Sequence, residues 1–149
     1  MTLNERIDTL VGLGDYIRKM EGRLEFVIRQ AFVNNPWFIV DNIKKSLIAI
    51  ESQYLNRQKL EEWLSNYDIP TNVEPKTVGL ILAGNIPMVG FQDIINVFMA
   101  GHTSLIKLSD KDRYLILHLL KFQTIRETHC YFHFGKQNLQ KQQFLLNQN

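Results

Sequence analysis

Cysteine is almost missing from this chain of 149 residues: Cys130 stands alone, so no internal disulfide can form and a reducing, cytoplasmic setting is the default expectation. Long apolar runs are missing too, and no window approaches the ~18 residues a membrane span needs. Glu5, Arg6 and Asp8 fall too early for a secretory signal. No sign of charge dominates, with 17 basic and 15 acidic side chains. Lys44-Lys45 and Arg57 with Lys59 read as solvated helix faces, so no nucleic-acid partner is expected. The turn Gly84-Asn85-Ile86-Pro87 is followed by no Gly-Lys-Ser or Gly-Lys-Thr, which excludes a P-loop. It lacks GxGxxG as well.

What remains is enough for one domain, able to bury roughly two thirds of its unfolded surface. The charge is uneven. Residues 1–112 hold 14 acids and 12 bases, whereas residues 113–149 hold one acid, Glu127, and five bases. Thr2-x-x-Glu5 predicts a capping box at the start of a first helix. Leu24, Val27, Ile28, Ala31 and Phe32 mark a second that ends at Asn34-Asn35-Pro36. Asp41 is expected to cap a third and Asn56 a fourth, whose apolar stripe is Leu60, Trp63, Leu64 and Tyr67. Residues 1–70 thus read as a helical region.

Residues 76–122 read differently. The apolar run 77–82 breaks at Ala83-Gly84-Asn85, and Pro87 is expected at the first position of an amphipathic helix that Gly101 stops. A second apolar run, 103–108, leads into Lys-Leu-Ser-Asp, where Ser109 is expected to cap a last helix with Asp112 in the capping-box position. The pattern predicts an α/β chain: a parallel βαβ unit whose apolar strands are covered on both faces. Its polar groups gather at the carboxyl ends of the strands, where open α/β sheets bind ligands. Beyond about Phe122 no period holds, and residues 123–149 read as a Gln-rich tail, a frame change or a divergent end.

Each polar group at that edge has two readings. Asn85 is a good turn residue, or an amide N–H donor aimed at a developing oxyanion. Lys107 is a solvated strand end, or with Ser109 and Asp110 a grip on ribose hydroxyls. His102 reads as a surface residue. His129, Cys130 and His133, with His118 as a fourth, have ligand-like spacing but nothing to orient them, so no metal site is assigned. Cys130 has no assignable base to make it a nucleophile.

Ala83-Gly84-Asn85-Ile86-Pro87, Gly90-Phe91-Gln92-Asp93, Ala100-Gly101-His102 and Lys107-Leu108-Ser109-Asp110-Lys111-Asp112 resemble the cofactor-binding domain of the aldehyde dehydrogenase superfamily. They are most similar to the acyl-CoA reductases related to the fatty acid reductase of bacterial luminescence (LuxC-like). Asn35-Pro36-Trp37-Phe38 and Trp63-Leu64 extend the resemblance, which covers about residues 1–120. It implies an incomplete Rossmann-like unit and a reaction in two steps. A cysteine thiolate attacks an acyl-CoA or other acyl thioester, and hydride from NADPH, or NADH, then releases the aldehyde. Asn85 takes the place of the superfamily's oxyanion-hole Asn, with Gly84 where an aromatic residue is usual. Lys107-Leu108-Ser109-Asp110 takes the place of its ribose-binding Lys-Pro-Ser-Glu, and the acid disfavours a 2′-phosphate.

The nucleophilic cysteine of that family lies far downstream of the Asn, so the chain reads as an N-terminal reductase fragment, inactive alone and prone to self-association. Two rivals stand beside this reading: a non-enzymatic helical interaction module, and a small metal-binding regulator built on the His129–His133 cluster.

Overall fold

The computed structural model describes residues 1–70 and 73–121, together with the backbone of Tyr131–Phe132. Four helices come first: α1 (Leu3–Lys19), α2 (Arg23–Asn34), α3 (Val40–Tyr54) and α4 (Arg57–Leu64). There follow β1 (Thr77–Ile81), α5 (Phe91–Met99), β2 (Thr103–Lys107), α6 (Arg113–Leu120) and the two-residue β3 (Tyr131–Phe132). The chain is mixed α/β and mostly helical. No helix among the described residues is long and apolar enough to cross a membrane.

Local chemistry explains several helix ends. Thr2 and Glu5 form the reciprocal capping box that the sequence predicts, and the Asn56 side chain accepts from the Lys59 N–H. Gly101 adopts φ 80°, the left-handed turn that ends α5 without a Cβ penalty. Asp41 is not a cap: α3 begins at Val40, one residue earlier, and Asp41 lies inside its first turn.

One apolar core runs through both halves. Leu10, Leu13 and Ile17 of α1 meet Ile28 of α2 and Leu47 of α3, while Phe91, Ile95 and Met99 of α5 continue the same cluster. Each such side chain, fully buried, stabilises the fold by roughly 1.5–3 kcal/mol relative to exposure. The expected stripe on α4 extends too far, since Tyr67 lies beyond the helix and is 59% exposed.

The strands β1 and β2 pair in parallel from Thr77↔Thr103 to Ile81↔Lys107, and β3 pairs in parallel with β2 through Leu105↔Tyr131 and Ile106↔Phe132. The expectation of two doubly covered strands fails for β1. It stands at the end of the sheet order, its residues alternate between exposed and half-buried, and Ile81 is 83% exposed. In β2 only Ser104 and Ile106 are buried. An apolar run records what a strand can bury; the neighbours that would cover it are a separate matter.

Candidate functional site

Pairing of β1 with β2 carries their carboxyl ends to one edge. The Leu82 N–H donates to the Lys107 carbonyl at 3.0 Å, one step past the last paired residues, so residues 83–85 emerge beside residues 107–109. Gly84 makes the approach close. A Cβ placed on it would overlap Ser109 Oγ and stand 2.5 Å from Ser109 Cβ. Glycine is needed here for space, since any side chain would drive the two loops apart.

Asp112 fastens the same loops from beneath. It is 2% exposed, and its Oδ2 accepts the backbone N–H of Met88. Two sequence expectations are corrected by this contact. Pro87 does not open the crossover helix, which starts at Phe91; Met88 instead takes φ 64° and gives its N–H to the carboxylate. Ser109 and Asp112 do not form a capping box either. The N-cap of α6 is Asp112, with no side-chain bond to the helix, and Ser109 Oγ accepts from the Lys111 N–H at 3.3 Å. A tertiary acceptor has outcompeted two local ones.

The second oxygen, Asp112 Oδ1, is buried without a hydrogen-bond partner among the described residues. Burial lifts the Asp112 pKa from 3.8 to about 7, and the Met88 N–H only partly offsets it. The helical region holds the loop from the far side. Asn34 Nδ2 donates to the Asp110 carbonyl at 3.2 Å and Asn35 Nδ2 to the Lys111 carbonyl at 3.4 Å. Asn35 Oδ1 also accepts from the Trp37 N–H at 3.3 Å, which locks the turn after α2.

The residues singled out in the sequence therefore share one edge with different freedoms. Asn85, Lys107 and Asp110 are exposed, and none of their side chains makes a hydrogen bond or ion pair among the described residues. Ser109 is half-buried, with its hydroxyl engaged by Lys111. The donor set suits a vicinal diol: an ammonium to donate, a carboxylate to accept, and a cramped Gly84–Ser109 floor beneath them. His102 is partly exposed, at the opposite end of β2, where its Nδ1 accepts from the Lys76 N–H at 3.5 Å. His129, Cys130 and His133 lie outside the described residues.

Sequence reasoning missed Asn34, Asn35 and the true role of Asp112, because nothing in local spacing reveals a partner 24 or 76 residues away. Two clefts lie away from this edge. One, of about 700 Å³, is bounded by Trp63, Tyr67, Lys76 and His102 near the amino ends of the strands. The other, of about 630 Å³, lies where α2 meets α6.

Comparison with known proteins finds a partial match. Over 100 residues the chain is 27% identical to the long-chain acyl-protein thioester reductase of Aliivibrio fischeri, a match covering 65% of this chain and 21% of that protein. The aligned part is thus about a fifth of the relative's length. No family model matches the chain, and no solved structure matches it.

Proposed function

We propose that this chain is the N-terminal, cofactor-side portion of an NAD(P)H-dependent acyl-thioester reductase of the aldehyde dehydrogenase superfamily, with β1, α5 and β2 as an incomplete Rossmann-like unit. The observation that carries the reading is the convergence of the Asn85 loop and the Lys107–Asp110 turn at one carboxyl edge, in a chain similar to a thioester reductase. Lys107 and Asp110 would hold the adenosine ribose of a nicotinamide dinucleotide, which supplies hydride when bound. The Lys107 ammonium donates to the ribose hydroxyls, and the Asp110 carboxylate accepts from them and repels a 2′-phosphate. The resemblance implies NADPH, whereas Asp110 favours NADH.

Asn85 would donate its amide N–H to the oxyanion that forms when a thiolate adds to the acyl-CoA carbonyl. Its side chain, unengaged among the described residues, is available for that bond. Gly84, Ser109 and Asp112 act by holding the two loops together. In the family the chain resembles, the nucleophilic cysteine lies far downstream of the Asn, and Cys130 has no assignable base, so this chain alone is expected to make no aldehyde.

The test is binding of NADH and NADPH to the purified chain, read by cofactor fluorescence. Lys107→Ala should weaken binding about tenfold or more, since a charge-assisted hydrogen bond contributes roughly 1.5–3 kcal/mol. Failure of both dinucleotides to bind, or equal binding by Lys107→Ala, would contradict the proposal. A second reading, a helical interaction module, draws on one observation: Trp37 is 90% exposed beside the exposed Val33 and Ile39.

A further inference from the structure

The cleft where α2 meets the end of α6 has a charge pattern that the edge chemistry does not use. Its polar walls are Arg23, at the start of α2, and His118 and Lys121, at the end of α6; no carboxylate among the described residues lines it. Arg23 is exposed and takes part in none of the ion pairs among the described residues. The apolar walls include Phe26, 61% exposed, and Tyr114, whose ring is braced by the Arg113 guanidinium 5.2 Å from its centroid. An exposed aromatic and a braced one lining the same cleft, with cations beside them, suit a flat anionic guest.

His118 reports on the same charges. Its Nε2 is 2.6 Å from the Tyr16 hydroxyl of α1, and the two rings are 5.8 Å apart. Burial first, then the Arg23 and Lys121 charges, push the imidazole below its ordinary pKa, while burial raises that of Tyr16. Among the described residues, the groups around His118 are Tyr16 from α1, Arg23 from α2, Tyr114 from α6 and Lys121 just past its end. The two cations disfavour the second proton that would charge the ring. An anion placed between them would remove that repulsion.

We propose that this cleft binds an organic phosphate monoester, its dianionic head between Arg23 and Lys121 beside His118 and its flat apolar body between Phe26 and Tyr114. Two cations match the charge of a phosphomonoester, which is close to −2 near neutral pH, better than that of a carboxylate. A volume of about 630 Å³ far exceeds what inorganic phosphate fills, and the aromatic walls give the remainder a partner. The site stands apart from the Asn85–Lys107 edge and holds whether or not that edge takes a dinucleotide.

The experiment is an NMR titration of the full chain with phenyl phosphate, inorganic phosphate, benzoate and phenol as probes. The His118 imidazole signals are identified by their loss in His118→Gln. Phenyl phosphate should raise the His118 titration midpoint and bind about tenfold or more tightly than inorganic phosphate, a difference of about 1.4 kcal/mol. It should shift the Phe26 and Tyr114 ring signals as well. Arg23→Gln, a change at an exposed position, should abolish the rise in midpoint while leaving the spectrum folded. An unmoved His118 midpoint, or a rise that persists in Arg23→Gln, would overturn the proposal. Benzoate binding as tightly as phenyl phosphate would overturn the phosphate assignment.

Discussion

The carboxylate of Asp112 accepts the backbone N–H of Met88, so a buried acid joins the two loops that carry Asn85 and Lys107. Its raised pKa, about 7, gives that junction a pH signature. The unfolded chain loses this proton near its ordinary value of 3.8, whereas the folded chain keeps it to about 7. The stabilising contribution is therefore complete below about pH 4 and is lost as pH rises through about 7. Asp112→Asn keeps an acceptor for Met88 and has no charge to bury. Between about pH 5 and pH 8 the wild type should lose up to roughly 3 kcal/mol more stability than the variant. Identical pH dependence in urea unfolding of the two proteins would exclude this role.

The gap between Gly84 and Ser109 yields a steric prediction. Gly84→Ala forces its methyl into Ser109 and should destabilise the chain by about 1–3 kcal/mol, the usual range for overpacking. Ser109→Gly removes the obstructing atoms, so the double variant should recover part of the loss. A coupling above about 0.5 kcal/mol in the mutant cycle is expected, and strict additivity would place the strain elsewhere.

Asn35 ties the end of α2 to the 109–112 turn from a largely buried position, and Asn34 does so from an exposed one. Asn35→Ala should thus cost about 1–3 kcal/mol and Asn34→Ala less, because only the former removes a buried side chain from a part-buried bond. Amide hydrogen exchange should quicken at Lys111, Asp112 and Met88 in Asn35→Ala. Acceleration confined to residues 34–38 would show that the tie does not reach the loop.

On the outer side of β1, Ile81 is 83% exposed and no further strand pairs with β1 among the described residues, the arrangement through which sheets associate. Sedimentation should show self-association or a broad, weakly cooperative melt, and Ile81→Lys should shift the chain toward monomer. A wild-type monomer with a sharp two-state melt would count against it.

These contacts mark how far the sequence could be read. The Thr2–Glu5 capping box, the Asn56 cap and the Gly101 turn were legible because each is decided within a few residues. The position of the candidate edge followed from two apolar runs and the polar turns after them. Pro87 misled because its preference for a first helical turn was overridden by Asp112, a partner 24 residues away. Asp112 misled because a Ser-x-x-Asp spacing is equally a helix cap and, as here, a buried clamp. The exposure of β1 was illegible for another reason: apolar residues alone do not say how many neighbours a strand has.

The central claim, that the Asn85–Lys107 edge receives a nicotinamide dinucleotide, is tested most directly by mapping backbone amide shifts of the isotopically labelled chain as NADH or NADPH is added. Saturable shifts at Gly84, Asn85, Lys107, Ser109 and Asp110, weakened in Lys107→Ala, are the expected result. Shifts absent from these residues at saturating dinucleotide, or centred instead on the cleft beside His118, would contradict it.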